Sequence, residues 1–123
     1  MLGSDKLMAF VATADAERCK AFYRDVLGLK LVADETFALV FDVSGAMLRI
    51  QKTNRVEPQP FTALGWEVLD IAARVTALNA KGVSCERYPN MPQDELGIWA
   101  APAGAKVAWF RDPDGNLLSL TQF

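Results

Sequence analysis

The sequence predicts an α+β fold made of two βαβββ modules, and three observations carry that prediction. An Asp opens a helical pattern twice, at Asp15 and Asp70, and a Gly closes each pattern, at Gly28 and Gly82. After each helix comes a strand, a tight turn and another strand, over Phe37 to Gln51 in the first half and Lys106 to Gln122 in the second. The two hairpins align: Phe41 with Phe110, Gly45 with Gly115, Leu48 with Leu118 and Ile50 with Leu120, after an insertion in the second turn. A repeated unit that cannot bury its apolar face alone implies two modules packed around something shared.

Leu7 to Thr13 is a short apolar run with β-branched content, a buried strand. Asp15 is a good N-cap, with Glu17 favourably placed in the first turn. Cys19, Phe22, Tyr23, Val26 and Leu27 then share one helix face, and Gly28 supplies the left-handed residue that ends the helix. Leu29 to Val32 begins the next strand, and Phe37 to Phe41 and Ala46 to Gln51 form a hairpin about Asp42-Val43-Ser44-Gly45. Lys52 to Pro60, polar and carrying two prolines, links module 6–51 to module 61–123.

In the second module Leu64 to Leu69 is the first strand, and Asp70 caps a helix whose apolar stripe is Ile71, Val75 and Leu78. Val83 to Tyr88 reads as a strand and Pro89 to Gly97 as a loop. Val107 to Arg111 and Leu117 to Gln122 close the chain as a hairpin. Its turn, Asp112-Pro113-Asp114-Gly115, has Pro to fix φ and Gly to accept a left-handed conformation.

The 123 residues suffice for one domain burying roughly two-thirds of its unfolded surface. Net charge is −2 with no basic run, which argues against nucleic acid as a partner. No apolar stretch approaches the roughly 20 residues of a membrane span, and the N-terminus lacks a signal-peptide core. Cys19 and Cys85 read as reduced thiols of a cytoplasmic protein, although the sequence leaves a disulfide between them open. There is no histidine, which removes Ser-His-Asp and Cys-His catalysis and a histidine base. Two cysteines without histidine do not make an ordinary closed zinc site.

The segment Ala21-Phe22-Tyr23-Arg24-Asp25-Val26-Leu27-Gly28-Leu29 and the turn Asp112-Pro113-Asp114-Gly115-Asn116 resemble the vicinal oxygen chelate superfamily. That superfamily includes glyoxalase I, extradiol dioxygenases, and fosfomycin- and bleomycin-resistance proteins. The resemblance runs from about Lys6 to Gln122 and rests on scaffold motifs, which carry no chemistry. It implies a cupped sheet around a central cavity, whose concave side holds a divalent ion in the metal-dependent members. It also implies where the ligands would fall: Met8 and Ala63, each seven residues before a capping Asp, and Ser119 and its repeat equivalent Arg49. A thioether, a methyl, a hydroxyl and a guanidinium do not hold a hard divalent ion. No metal and no cofactor is therefore expected.

Strand alternation adds Phe10 to the face of Met8, Glu67 to the face of Ala63, and Met47 to the face of Arg49. Trp109 matches a position that faces the active site in extradiol members, and Trp99 follows the loop that usually closes over a ligand. The resulting ligand-binding set is Met8, Phe10, Arg49, Glu67, Trp99, Trp109 and Ser119, with no catalytic residue assigned. Plainer roles are open for each: Trp99 and Trp109 as core, Arg49 and Glu67 as an ion pair, Met8 and Phe10 as packing. Trp66, opposite in phase to Glu67, reads as core.

The first reading is a metal-independent binding protein similar to bleomycin-resistance proteins. It would be a cytoplasmic homodimer sequestering an aromatic or amphipathic small organic ligand. The alternative is a glyoxalase-type lyase, isomerase or dioxygenase, which needs a metal, or a metal-free enzyme with Glu67 as base. A third is a subunit or regulatory module with a vestigial cup, in which Trp99 and its loop would form a protein interface. The modules pair within one chain or swap between two; the linker permits either.

Overall fold

Each helix starts on an aspartate that caps it. In the computed structural model, which describes residues 1–123, the Asp15 carboxylate accepts from Arg18 N–H and that of Asp70 from Ala73 N–H, at 3.2 and 3.1 Å. Each satisfies an amide that the helix geometry leaves without a partner. Gly28 and Gly82, at φ of 74° and 85°, turn the chain out of the helices. The chain divides into two compact units, Met1–Pro58 and Gln59–Phe123.

The first unit runs β1 (Met8–Thr13), α1 (Ala16–Ala21), β2 (Lys30–Asp34), β3 (Ala38–Val43) and β4 (Ala46–Lys52), after a short 3-10 turn at Leu2–Ser4. Its sheet has the order β1-β4-β3-β2, with β1 parallel to β4 and the other pairs antiparallel. Cys19, Phe22 and Tyr23 are buried, and the Tyr23 ring lies 6.0 Å from that of Phe41. The helix does not continue as an α-helix to Leu27. Phe22–Val26 form a π turn, with Leu27 N–H donating to the Phe22 carbonyl at 3.0 Å. The wider turn changes the stripe's period, so Val26 and Leu27 are only half-buried.

The β3–β4 turn is tight. Ser44 and Gly45 both have positive φ, 49° and 90°, between the paired Val43 and Ala46. That is a type I′ turn, whose twist matches a right-twisted hairpin. The Asp42 carboxylate accepts from Gly45 N–H at 2.9 Å.

The second unit runs β5 (Leu64–Glu67), α2 (Ile71–Ala80), β6 (Trp99–Ala100), β7 (Lys106–Arg111) and β8 (Leu117–Gln122). The order is β5-β8-β7-β6, and β5 and β8 are parallel. The fold is thus α+β, two βαβββ modules with mixed four-stranded sheets. Ile71, Val75 and Leu78 of α2 are buried with Ala108, Phe110, Leu118 and Leu120, which share one face of the β7–β8 hairpin.

Two expectations need correction. Val83 to Tyr88 is no ladder strand; the short β6 occupies the edge instead. The reason is local: the Gln93 side chain takes the Glu86 carbonyl and the Tyr88 amide that a ladder would have used. A single backbone bond, from Glu86 N–H to the Trp109 carbonyl at 2.7 Å, and the side-chain bond from Arg111 Nε to Glu86 Oε1 tie this segment to β7. Trp66 is half-buried, because it stands on the edge strand β5. Both cysteines are free, and no helix is long and apolar enough to cross a membrane.

Candidate functional site

The seven residues singled out in the sequence fall into two groups, one on each sheet. In the first module Met8 pairs with Met47 and Phe10 with Arg49 across the parallel strands β1 and β4. By alternation these four share the face opposite to Leu48 and Phe41, which carry the core. Met8, Phe10 and Met47 are 45%, 47% and 41% exposed, an uncommon exposure for three neighbouring apolar side chains. Arg49 is not free there. Its Nη2 donates to Glu35 Oε1 at 2.8 Å, which neutralises the cation within its own module.

The second module carries the other four. Gly65, Ser119 and Trp109 stand side by side on β5, β8 and β7, and Glu67, Thr121, Val107 and Trp99 form the next row. Trp99 and Trp109 are ring neighbours, with centroids 6.0 Å apart and planes inclined by 33°. Tyr88 meets Trp109 edge to face at 5.6 Å. All three rings are partly exposed or in contact with one that is, so together they form an aromatic platform. Tyr88 is the functional candidate that sequence reasoning missed. A tyrosine ending an extended segment eleven residues before a tryptophan was the available signal.

The side chains of Ser119, Glu67 and Thr121 on this face make no hydrogen bond or ion pair within the chain. Since no buried side-chain oxygen lacks a partner, the Oγ of Ser119 opens to solvent. Glu67 is exposed and forms no ion pair. Arg111, on the same face by alternation, is occupied: Nε donates to Glu86 Oε1 at 2.9 Å and Nη1 to the Gly115 carbonyl at 2.8 Å. Burial pushes the Tyr88 phenol above its ordinary value, so it stays a neutral donor and acceptor at physiological pH. Burial likewise raises the Cys85 thiol, which is the opposite of activation.

The register supports the repeat. Arg49 lies opposite Phe10, five residues before the capping Asp15, and Ser119 lies opposite Gly65, five before Asp70. The first-strand positions Met8 and Ala63 each precede those partners by two residues. This donor set does not fit a divalent ion: Arg49 is bound to a carboxylate, Ala63 has no donor, and no three His, Cys, Asp or Glu side chains converge anywhere.

The family model described as Glyoxalase/Bleomycin resistance protein/Dioxygenase superfamily matches residues 5–120. The chain belongs to this superfamily. The chain is 28% identical to the protein YraH of Bacillus subtilis strain 168, over 86% of this chain and 88% of that one. Among solved structures, TnmS3, an antibiotic binding protein from Streptomyces sp. CB03234, is 26% identical with a TM-score of 0.73, covering 99% of this chain and 98% of its own. A lactoylglutathione lyase from Agrobacterium tumefaciens, 20% identical with a TM-score of 0.73 over 96% of this chain and 93% of its own, shares the fold.

Proposed function

We propose that this chain is a metal-independent binding protein that sequesters an aromatic or amphipathic small organic molecule, as a cytoplasmic homodimer. One observation carries the reading: the contiguous Trp99–Trp109–Tyr88 platform with the unpartnered Ser119 hydroxyl beside it. Aromatic faces bind a planar apolar body, and a few placed polar groups orient it. Trp99 and Trp109 stack on the ligand, and Ser119 and Glu67 orient its polar part. The antibiotic-binding TnmS3, 26% identical over nearly the whole chain, supports a binding rather than a catalytic role. The exposed Met8, Phe10 and Met47 support association of copies.

The test is titration with a panel of planar aromatic compounds, followed by tryptophan emission. Trp109→Ala should weaken any compound that binds by about tenfold or more. Unchanged affinity removes the platform from the site. Stoichiometric metal retained after incubation with Ni²⁺, Zn²⁺, Fe²⁺ or Mn²⁺ would overturn the metal-independent reading. Light scattering should return twice the mass of one chain.

A further inference from the structure

The geometry points to Gln93 as the positioning residue of the aromatic platform, holding Tyr88 and Trp99 against Trp109. The inference rests on the reading of that platform as the ligand site and adds what builds it. Residues Val83 to Ile98 have no ladder of their own, yet they carry Tyr88 and lead directly into Trp99. An extended segment without ladder bonds does not hold a ring in place by itself. Here the half-buried Gln93 amide replaces the ladder.

Its Oε1 accepts from Tyr88 N–H at 2.8 Å, and its Nε2 donates to the Glu86 carbonyl and the Gly97 carbonyl, each at 2.8 Å. Both amide hydrogens and the carbonyl oxygen are thus used on three different backbone groups. Each connection leads to a ring. Glu86 N–H donates to the Trp109 carbonyl at 2.7 Å, so the Glu86 bond ties Gln93 to the strand that bears Trp109. The Tyr88 bond fixes the ring that meets Trp109 edge to face. The Gly97 bond, with the backbone bridge between Gln93 and Trp99, sets where β6 begins.

The loop tip is closed separately. Asp94 Oδ1 accepts from Leu96 N–H and Ile98 N–H at 2.9 Å, so the tip keeps its shape when the Gln93 amide is removed. Gly97, at φ 89°, leaves no room for a substitute: a Cβ there would stand 2.8 Å from Cys85 Cβ. Together with the β6–β7 ladder that pairs Trp99 with Val107, this one side chain sets the spacing of three rings before any ligand arrives, which is how a site avoids an ordering cost on binding.

The test reads the rings directly, without a ligand. In a Trp66→Phe background only Trp99 and Trp109 remain, and their 6.0 Å separation gives an exciton couplet in circular dichroism. Gln93→Ala should cut the couplet to about half or less while amide dispersion in NMR shows a folded chain. A couplet of unchanged amplitude overturns the inference. Gln93→Glu decides the matter if the alanine variant does not fold. Its carboxylate would face two carbonyl oxygens at about pH 7 and lose the couplet, and protonation towards about pH 4 restores a donor and recovers it. A parent couplet that is flat over that range and a Gln93→Glu couplet that is flat as well would again overturn it. If instead the couplet responds as stated while Trp109→Ala leaves panel affinities unchanged, the ligand reading fails and the role of Gln93 stands.

Discussion

Ser119 lies directly opposite Gly65 across the parallel strands β5 and β8, so close that a Cβ on Gly65 would stand 2.9 Å from Ser119 Oγ. The glycine keeps the Ser119 hydroxyl in its present rotamer, beside Trp109. Gly65→Ala should therefore push the hydroxyl aside rather than unfold the strand, because removing a strand glycine itself favours folding by up to about 1 kcal/mol. Combining it with Ser119→Ala removes the clash. The double variant should be more stable than the two single changes sum to, by about 0.5–1 kcal/mol in urea unfolding. Additive effects would show that the contact is not tight.

What the sequence made legible is what is local or periodic. The Asp15 and Asp70 caps, the Gly28 and Gly82 stops and the Asp112 turn each depend on residues within four positions of one another. The place of Trp109 came from the family resemblance rather than from any period, and β7 and β8 pair it with Ser119. What was illegible depends on single side chains bonding across irregular segments. The bonds of Gln93, the contact of Tyr88 with Trp109 and the pairing of Arg49 with Glu35 have no period and no motif. The Val83 to Tyr88 segment was misread because its composition suits a strand, while one amide side chain takes its bonds elsewhere.

Asp34 joins α1 to the sheet, with Lys20 Nζ at 2.7 Å and Lys52 Nζ at 2.6 Å from its two oxygens. Lys20 first and Lys52 second hold its carboxyl down to about 2, against an ordinary 3.8. A depressed carboxyl stabilises the fold above its unfolded value, and that contribution is lost as pH falls through the folded one. Asp34→Asn should thus lower the thermal midpoint at neutral pH. The gap to the parent should narrow between pH 3.8 and about 2 and close below that range. It should also shrink in high salt, since the pair is partly exposed. A gap that is constant down to the lowest pH would mean the carboxylate's charge is not what matters.

Asp112 is 5% exposed and organises the last hairpin turn by itself. Oδ1 accepts from Asp114 N–H and Asn116 N–H, and Oδ2 from Asn116 Nδ2, all at 2.9 Å. Asp112→Ala strands three donors and should cost about 2–3 kcal/mol in urea unfolding, in the range for hydrogen bonds to a charged group. Asp112→Asn keeps one acceptor oxygen and should cost about half as much. Equal losses in the two variants would place the effect in the charge rather than in the bonds.

The β3–β4 hairpin holds a non-glycine residue, Ser44, at φ 49°, next to Gly45 at φ 90°. Both central positions of a type I′ turn require positive φ, and asparagine tolerates the left-handed region better than serine does. Ser44→Asn should therefore stabilise the chain by about 0.5 kcal/mol, and Ser44→Val, whose branched side chain suits that region least, should cost about 1 kcal/mol or more. Neither change touches the core, because Ser44 is exposed. The measurement is the midpoint shift in urea at constant slope, which reports stability without a change in the unfolded ensemble. An asparagine variant no more stable than the valine one would mean the turn relaxes out of the I′ geometry in solution, and the aligned register from Val43–Ala46 to Ala38–Gln51 would then have to be set by the strands alone.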